Sequence, residues 1–541
     1  MTVNKKRRKS KRTETPTNPA RAASSRQLGM FLGALLFVIY MANGDSLANN
    51  DASANVYLPL QLLTRGRLTF TVEDSPHLFV QKMTYPEGKR TARFHSWDFV
   101  LDGQTMREHQ RAGRLRTIAP YYCLSETRWP GVFADTFGVG AGLLALPAVA
   151  AVKLFDPALE QHPVRLWQTT KFVAAASVAA SAVFLFFLAL ATLGSRRAFL
   201  LALVYGLCTC VWSTSSQALF QHGPSQLFLA MGCYYLLRAQ RPLHVLAGLS
   251  FSLAVACRPT TILVPAAVVL MLGLRDRRAM VRVLAGALPV AVLLVLYGLV
   301  VFDNPFSTGQ IGKGSHIAMM RTGNPDLWQT PFYFGALGLL VSPARGLLVY
   351  SPVAVVAMWG MVRVWRDRKQ YHLQALSLAT AGMFVIAAKW FDWWGGWCYG
   401  YRPIVDLIIL LAFLAVPLVP WICARTRRLV VVSILACWSC FVQIVGAYAY
   451  DQKGWNEHRV YDVVGPGPNQ QVTYDDMSRA KQHTSVLGGT VQPRSETIDN
   501  PANRYRLWSL SDNPISYYLT HLDSARAQRQ KGIDNFMIDG I

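Results

Sequence analysis

Residues 166–193 read LWQTTKFVAAASVAASAVFLFFLALATL. Lys171 is the one charged residue in this run, and polar and apolar residues do not alternate along it. Crossing a hydrocarbon core of roughly 30 Å takes about 20 apolar residues as helix. Backbone amides in lipid must be satisfied internally, so only helices and closed barrels span. A continuous apolar run without period-two alternation selects the helix. The run ends at Ser195-Arg196-Arg197, a basic stop of the kind that cytoplasmic loops carry.

Similar runs recur on both sides. The chain of 541 residues is 52% hydrophobic and only 16% charged, with a mean hydropathy of +0.23. Soluble domains carry about 25% charged residues. The expected fold is therefore an all-α polytopic membrane protein. Its formal net charge of +24 is concentrated in the head Lys5–Arg12 and in short clusters between apolar runs, a positive-inside pattern that argues against nucleic-acid binding. The head touches anionic lipid as a cytoplasmic tail over 1–26. Seven of the nine cysteines (208, 210, 233, 257, 423, 437 and 440) fall inside apolar runs and read as buried small hydrophobes. Cys123 and Cys398 lie outside them, where a bridge is redox-permitted.

Basic clusters set the expected topology. With the head inside, a first span from about Gln27 to Met41 runs outward into a mixed polar loop over 43–130. The runs Gly131–Phe155 and Pro331–Arg345 are Gly-rich and interrupted, and are expected to lie at or re-enter the outer face. The remaining runs alternate between inner clusters (Arg196-Arg197, Arg238, Arg275–Arg278, Arg363–Lys369, Arg425–Arg428) and outer loops. The count is about 11 crossings, or 13 with the two interrupted runs. A transmembrane part over 27–449 then precedes an outer C-terminal domain over 450–541. No repeat, Walker loop or zinc spacing appears.

Three groups on the outer side carry chemistry. The first is Asp45 and Asp51, at the exit of the first span and ahead of the amphipathic stretch Val56–Leu63. A carboxylate at headgroup depth suits general-base work, and equally fits a solvated helix exit. The second is WFDWWGGWCYGYR, Trp390–Arg402. Its aromatics form either an interfacial belt or a sugar platform around Trp394 and Tyr401, and Arg402 suits a phosphate oxygen. Its glycines allow close backbone approach to a ligand. The third is a scatter of cations, His222, Arg258, Lys313, His316, Arg345 and Lys389, which read singly as snorkelling residues and together as an anion site.

In Asp51 with Tyr57-Leu58-Pro59, Trp212…Gln221-His222-Gly223, Arg258-Pro259-Thr260, Gly346–Pro352 and Trp393-Trp394-Gly395-Gly396…Gly400-Tyr401-Arg402, the chain resembles the GT-C superfamily of polytopic, lipid-dependent glycosyltransferases. It is most similar to the bacterial protein O-mannosyltransferase and aminoarabinose-transferase group, over roughly Gly44–Leu411. The resemblance implies a sugar donor carried on a polyprenyl phosphate, and a glycan, lipid or protein acceptor. It places the enzyme in a bacterial plasma membrane with its site on the extracytoplasmic face. It gives the base to Asp51, with Asp45 as substitute, and donor-phosphate contacts to Arg402, Arg258 and His222. Many members carry a second acidic residue in the second outer loop. The loop Ser213–Gly223 has none, which leaves Asp135 or Asp392 and puts any divalent cation in doubt. A lipid or polyprenol-linked transporter or flippase, or a non-enzymatic assembly protein, are the competing readings.

Overall fold

The structure is a computed structural model that describes residues 19–47, 49–84, 91–94, 112, 115–238, 242–307, 309–452, 454–464, 471–474, 481–485 and 490–523. The basic head Lys5–Arg12 lies outside the described residues.

The fold is mainly helical. The helices are α1 (Pro19–Met41), α2 (Asn50–Arg65), α3 (Gly140–Phe155), α4 (Pro163–Leu193), α5 (Ser195–Leu207), α6 (His222–Leu237), α7 (His244–Cys257), α8 (Leu263–Arg275) and α9 (Arg277–Phe302). They continue with α10 (Gln310–Thr322), α11 (Phe332–Val341), α12 (Leu347–Tyr350), α13 (Ala354–Arg363), α14 (Tyr371–Lys389), α15 (Leu407–Ala415), α16 (Val419–Cys423), α17 (Thr426–Tyr448) and α18 (Pro514–Thr520). Among the described residues, five helical stretches are long and apolar enough to cross a membrane: Ser24–Met41, Pro163–Leu193, Arg277–Phe302, Arg368–Lys389 and Thr426–Tyr448. Gly140–Phe155, His244–Cys257, Pro259–Arg275, Phe332–Val341 and Leu407–Cys423 are apolar but shorter. Helices α9 and α17 leave Leu288, Leu293, Val431 and Ile434 more than half exposed. Apolar exposure of this kind marks a surface that a membrane or another protein covers.

Helix α4 is the hub, packing on α1, α5 and α6. Helix α7 is held between α6 and α9. Its contact with α9 is a seam of bare backbone. A Cβ on Gly248 would sit 1.9 Å from the carbonyl oxygen of Val283, and one on Gly286 would sit 1.9 Å from that of Val245. Small residues at such crossings let the two backbones touch.

The polar stretch after α1 is more structured than its sequence suggests. Helix α2 starts at the N-cap Asn49 and ends at Gly66, whose φ of 68° is left-handed. Every residue from Ala52 to Gln61 is buried, so this part of α2 is enclosed on all sides. Two three-stranded antiparallel sheets follow, the first of them packed on α2 through β1 and β6. One has the order β1-β6-β5, with β1 Thr69–Phe70, β5 Leu124–Glu126 and β6 Phe133–Asp135. The other has the order β3-β2-β4, with β2 Phe79–Thr84, β3 Thr91–Phe94 and β4 Leu115–Pro120. Thr69 pairs with Ala134 and Leu124 with Asp135, so the first sheet closes across a long stretch of chain.

A third sheet, β8-β7-β9, lies near the C-terminus, with β7 Glu457–Val464, β8 Gln471–Tyr474 and β9 Thr490–Thr497. The C-terminal residues Trp455, Ile498, Leu507, Ile515 and Tyr518 share one hydrophobic core with the helical bundle. Cys123 and Cys398 are both free thiols, each buried separately.

Candidate functional site

The enclosed α2 aims its N-terminus at a cavity of about 660 Å³. Asn49 accepts the Asp51 amide on its side chain at 2.8 Å, which fixes the first turn. The Asp51 carboxylate then accepts a hydrogen bond from the Tyr122 hydroxyl and pairs with Arg402 Nη1. Burial and the neighbouring Asp51 charge push the Tyr122 phenol well above its ordinary value, so it stays a donor. Arg402 is anchored independently. Its Nη2 donates to the Gly395 carbonyl at 2.6 Å, and its guanidinium lies 5.6 Å from the centre of the Phe220 ring.

A second node lies beside it. Asp406, 1% exposed, accepts from Ser225 Oγ at 2.7 Å and lies 3.0 Å from Arg258 Nε and 2.8 Å from His222 Nδ1. Arg258 Nη1 is 2.6 Å from that same His222 nitrogen, and its Nη2 donates to the Pro403 carbonyl at 3.0 Å. The third node is Arg321 on α10, 2.6 Å from Asp392 Oδ2 and 3.7 Å from Asp499 Oδ1. Burial raises the Asp392 carboxyl, and Arg321 opposes that shift. Gly395 and Gly396 turn the chain between these nodes with φ of 74° and 62°. The Gly396 amide donates to Asp392 Oδ1 at 3.1 Å.

Asp51, His222, Arg258 and Arg402, all expected to act together, do line one cavity. Asp392, one of the two second carboxylates considered, also lines it. The other expected residues lie elsewhere. The Asp45 side chain accepts the Ser46 amide at 2.7 Å, and its carbonyl accepts from the buried Lys171, which holds it away from the cavity wall. Tyr401 is fully buried, with its hydroxyl 2.8 Å from Ser351 Oγ and 3.0 Å from the Cys210 amide. Trp394 is buried beneath Arg504, whose guanidinium lies 4.3 Å from its ring. Of the aromatic segment, Trp390, Phe391 and Trp397 reach the cavity, while Trp393 and Trp394 serve the core. Lys313, His316 and Lys389 are not in the wall.

Arg345, grouped with the outer cations, is completely buried. It donates to the carbonyls of Trp394, Ala344 and Gly396 at 3.1, 2.9 and 3.1 Å and to Asn456 Oδ1 at 2.9 Å. Its role is to hold the 394–396 turn. Asp135 is 1% exposed, and burial raises its carboxyl to about 8. Its Oδ1 accepts the Phe137 amide at 2.8 Å, and the Asn55 amide, with its NH₂ turned inward, donates to Oδ2 at 3.2 Å. It braces α2 against β6 and does not line the cavity.

Tyr122, Arg321, Asp406 and Asp499 were not foreseen from the sequence. Asp406 alone carried a readable signal, because it heads the apolar run Leu407–Leu411 as a lone carboxylate. The wall between the three nodes is apolar, built from Ile317, Leu327, Trp328, Met383, Ile386 and Leu407. Among the described residues no group of three or more His, Cys, Asp or Glu side chains is placed to hold a metal ion. Asp51 and Asp406 each pair with an arginine of their own, and Asp392 and Asp499 share Arg321, so the donor set does not fit a divalent cation. No protein-family model matches the chain, and no curated protein matches it either.

Proposed function

We propose that the chain is an integral membrane glycosyltransferase that moves a sugar from a polyprenyl-phosphate donor to a glycan, lipid or protein acceptor at the extracytoplasmic face of a bacterial plasma membrane. The observation that carries this reading is one apolar-walled cavity that holds a carboxylate at a helix N-terminus together with Arg258, Arg321 and Arg402. An apolar wall suits a polyprenyl chain, and guanidinium forks suit phosphate oxygens. Asp51 takes the proton from the acceptor hydroxyl as its oxygen bonds to the anomeric carbon. The bond from that carbon to the phosphate oxygen breaks, and the electron pair leaves with polyprenyl phosphate. One displacement inverts the anomeric centre. Arg402 and Arg258 stabilise the charge that grows on the leaving phosphate. Trp390 and Trp397 offer faces for the sugar.

The test is incubation of the purified protein with radiolabelled polyprenyl-phosphate sugars and a membrane extract as acceptor source. Wild type is expected to transfer label from one donor. Asp51→Asn is expected to lose roughly 100-fold or more, the usual range for a general base. Full transfer by a folded Asp51→Asn protein overturns the assignment of the base.

A further inference from the structure

The arginines of the cavity are all engaged by carboxylates. Arg402 pairs with Asp51, Arg258 with Asp406, and Arg321 with Asp392 and Asp499. Three guanidinium groups therefore face four carboxylates in one wall. A phosphate ester that enters finds no excess positive charge, and competes with a carboxylate for the guanidinium it approaches.

The three pairs are not equally replaceable. Asp406 is 1% exposed and is also held by Ser225 and His222, so removing it from Arg258 would strand a buried charge. Asp392 is tied to Arg321 and to the Gly396 amide. Asp51 differs. It sits in the first turn of α2, a 16-residue helix whose positive dipole end stabilises a carboxylate without a partner. Tyr122 keeps its hydrogen bond to the other oxygen. Arg402, for its part, stays in place through Gly395 and Phe220.

We infer that Asp51 and a phosphate ester compete for the same guanidinium, that of Arg402, so that anion binding and the release of Asp51 are one event. This rests on the proposed function for its consequence: the carboxylate is freed to accept a proton only when the donor phosphate occupies the site. The binding part stands on the geometry alone. Asp51 is then at once the base and an internal competitor of the substrate.

The competition has an unusual signature. Here Asp51→Asn is expected to tighten anion binding about tenfold or more, while Arg402→Gln weakens it by at least as much. The full-length protein in detergent is titrated with inorganic phosphate in one arm and farnesyl phosphate in the other, read by the fluorescence of Trp390 and Trp397 in the wall. Tightening in both arms supports exchange with any phosphate. Tightening with farnesyl phosphate alone supports exchange that needs the apolar tail. Unchanged or weaker binding by Asp51→Asn in both arms overturns the inference. If Asp51→Asn does not fold, Asp51→Ser, which keeps a small side-chain oxygen in the first turn of α2, makes the same measurement. Exchange without sugar transfer overturns the transferase reading alone, and transfer without exchange overturns only this one.

Discussion

Arg345 donates to Asn456 Oδ1 at 2.9 Å, and so joins the turn at 394–396 to the C-terminal segment through a fully buried guanidinium. No carboxylate is among the hydrogen-bond acceptors of this arginine. The charge is carried by carbonyls, an amide oxygen and the Trp455 ring, 5.1 Å from the guanidinium carbon.

Arg345→Leu should therefore lower stability by about 4 kcal/mol or more, since four hydrogen bonds at roughly 1 kcal/mol net each are lost and some acceptors are stranded. The C-terminal segment should become protease-sensitive before the bundle unfolds. Limited proteolysis beside a thermal melt in detergent checks both. Cleavage unchanged from wild type contradicts the coupling.

Asp406→Asn is expected to be the most destabilising substitution in the cavity. It leaves Arg258 buried without its counter-charge, and breaking one side of a buried pair costs about 3–5 kcal/mol. Thermal unfolding of Asp406→Asn beside Asp392→Asn orders the two, and a larger loss for Asp392→Asn would refute the ranking.

Asp135 predicts a pH dependence outside the membrane-spanning segments. Its folded carboxyl is raised to about 8 from an ordinary value of 3.8. Between these values the unfolded chain ionises the group while the folded protein keeps it protonated, so the unfolded state binds fewer protons and stability falls as pH rises. The penalty is absent below about pH 4 and complete above about pH 8. Asp135→Asn, which retains an acceptor for the Phe137 amide, should melt higher than wild type at pH 8 and lose that advantage near pH 4. Parallel melting-temperature shifts at both pH values would show that Asp135 is not protonated in the fold.

Gly286→Ala places a methyl group against the Val245 carbonyl and should cost about 1–3 kcal/mol, as overpacking does. Gly66→Ala is expected to be milder at the contact level, because nothing lies within 4 Å of its Cβ position, and its cost comes only from the left-handed φ. Melting temperatures of the two variants give the comparison.

How legible was this molecule in its sequence? The long helices were plain, since α4, α9 and α17 follow from uninterrupted apolar runs and their basic ends. The small sheets were not. Strand β1 has two residues and β6 three, too short to show alternation, and β1 pairs far along the sequence, Phe70 with Phe133 and Thr69 with Ala134, which no local pattern reveals. Asp51, Arg258, His222 and Arg402 could be grouped because each flanks an apolar run on the side opposite the basic clusters. Tyr122 and Asp499 carry no such flank. They reach the cavity through the folding of the first polar stretch and the C-terminal segment, which side-chain type and spacing do not encode. Tyr401 and Trp394 look like ligand-facing aromatics in sequence, yet their polar atoms and rings are consumed in the core.

The glycine seam between α7 and α9 has a mechanical consequence. With Gly248 against Val283 and Gly286 against Val245, each helix keys into the other at two points of contact without intervening side chains. A slide of one helical turn would bring the side chain of Ser252 or Val290 against backbone, so the pair has no neighbouring notch to ratchet into. Whatever rearrangement the bundle undergoes, these two helices travel as one strut.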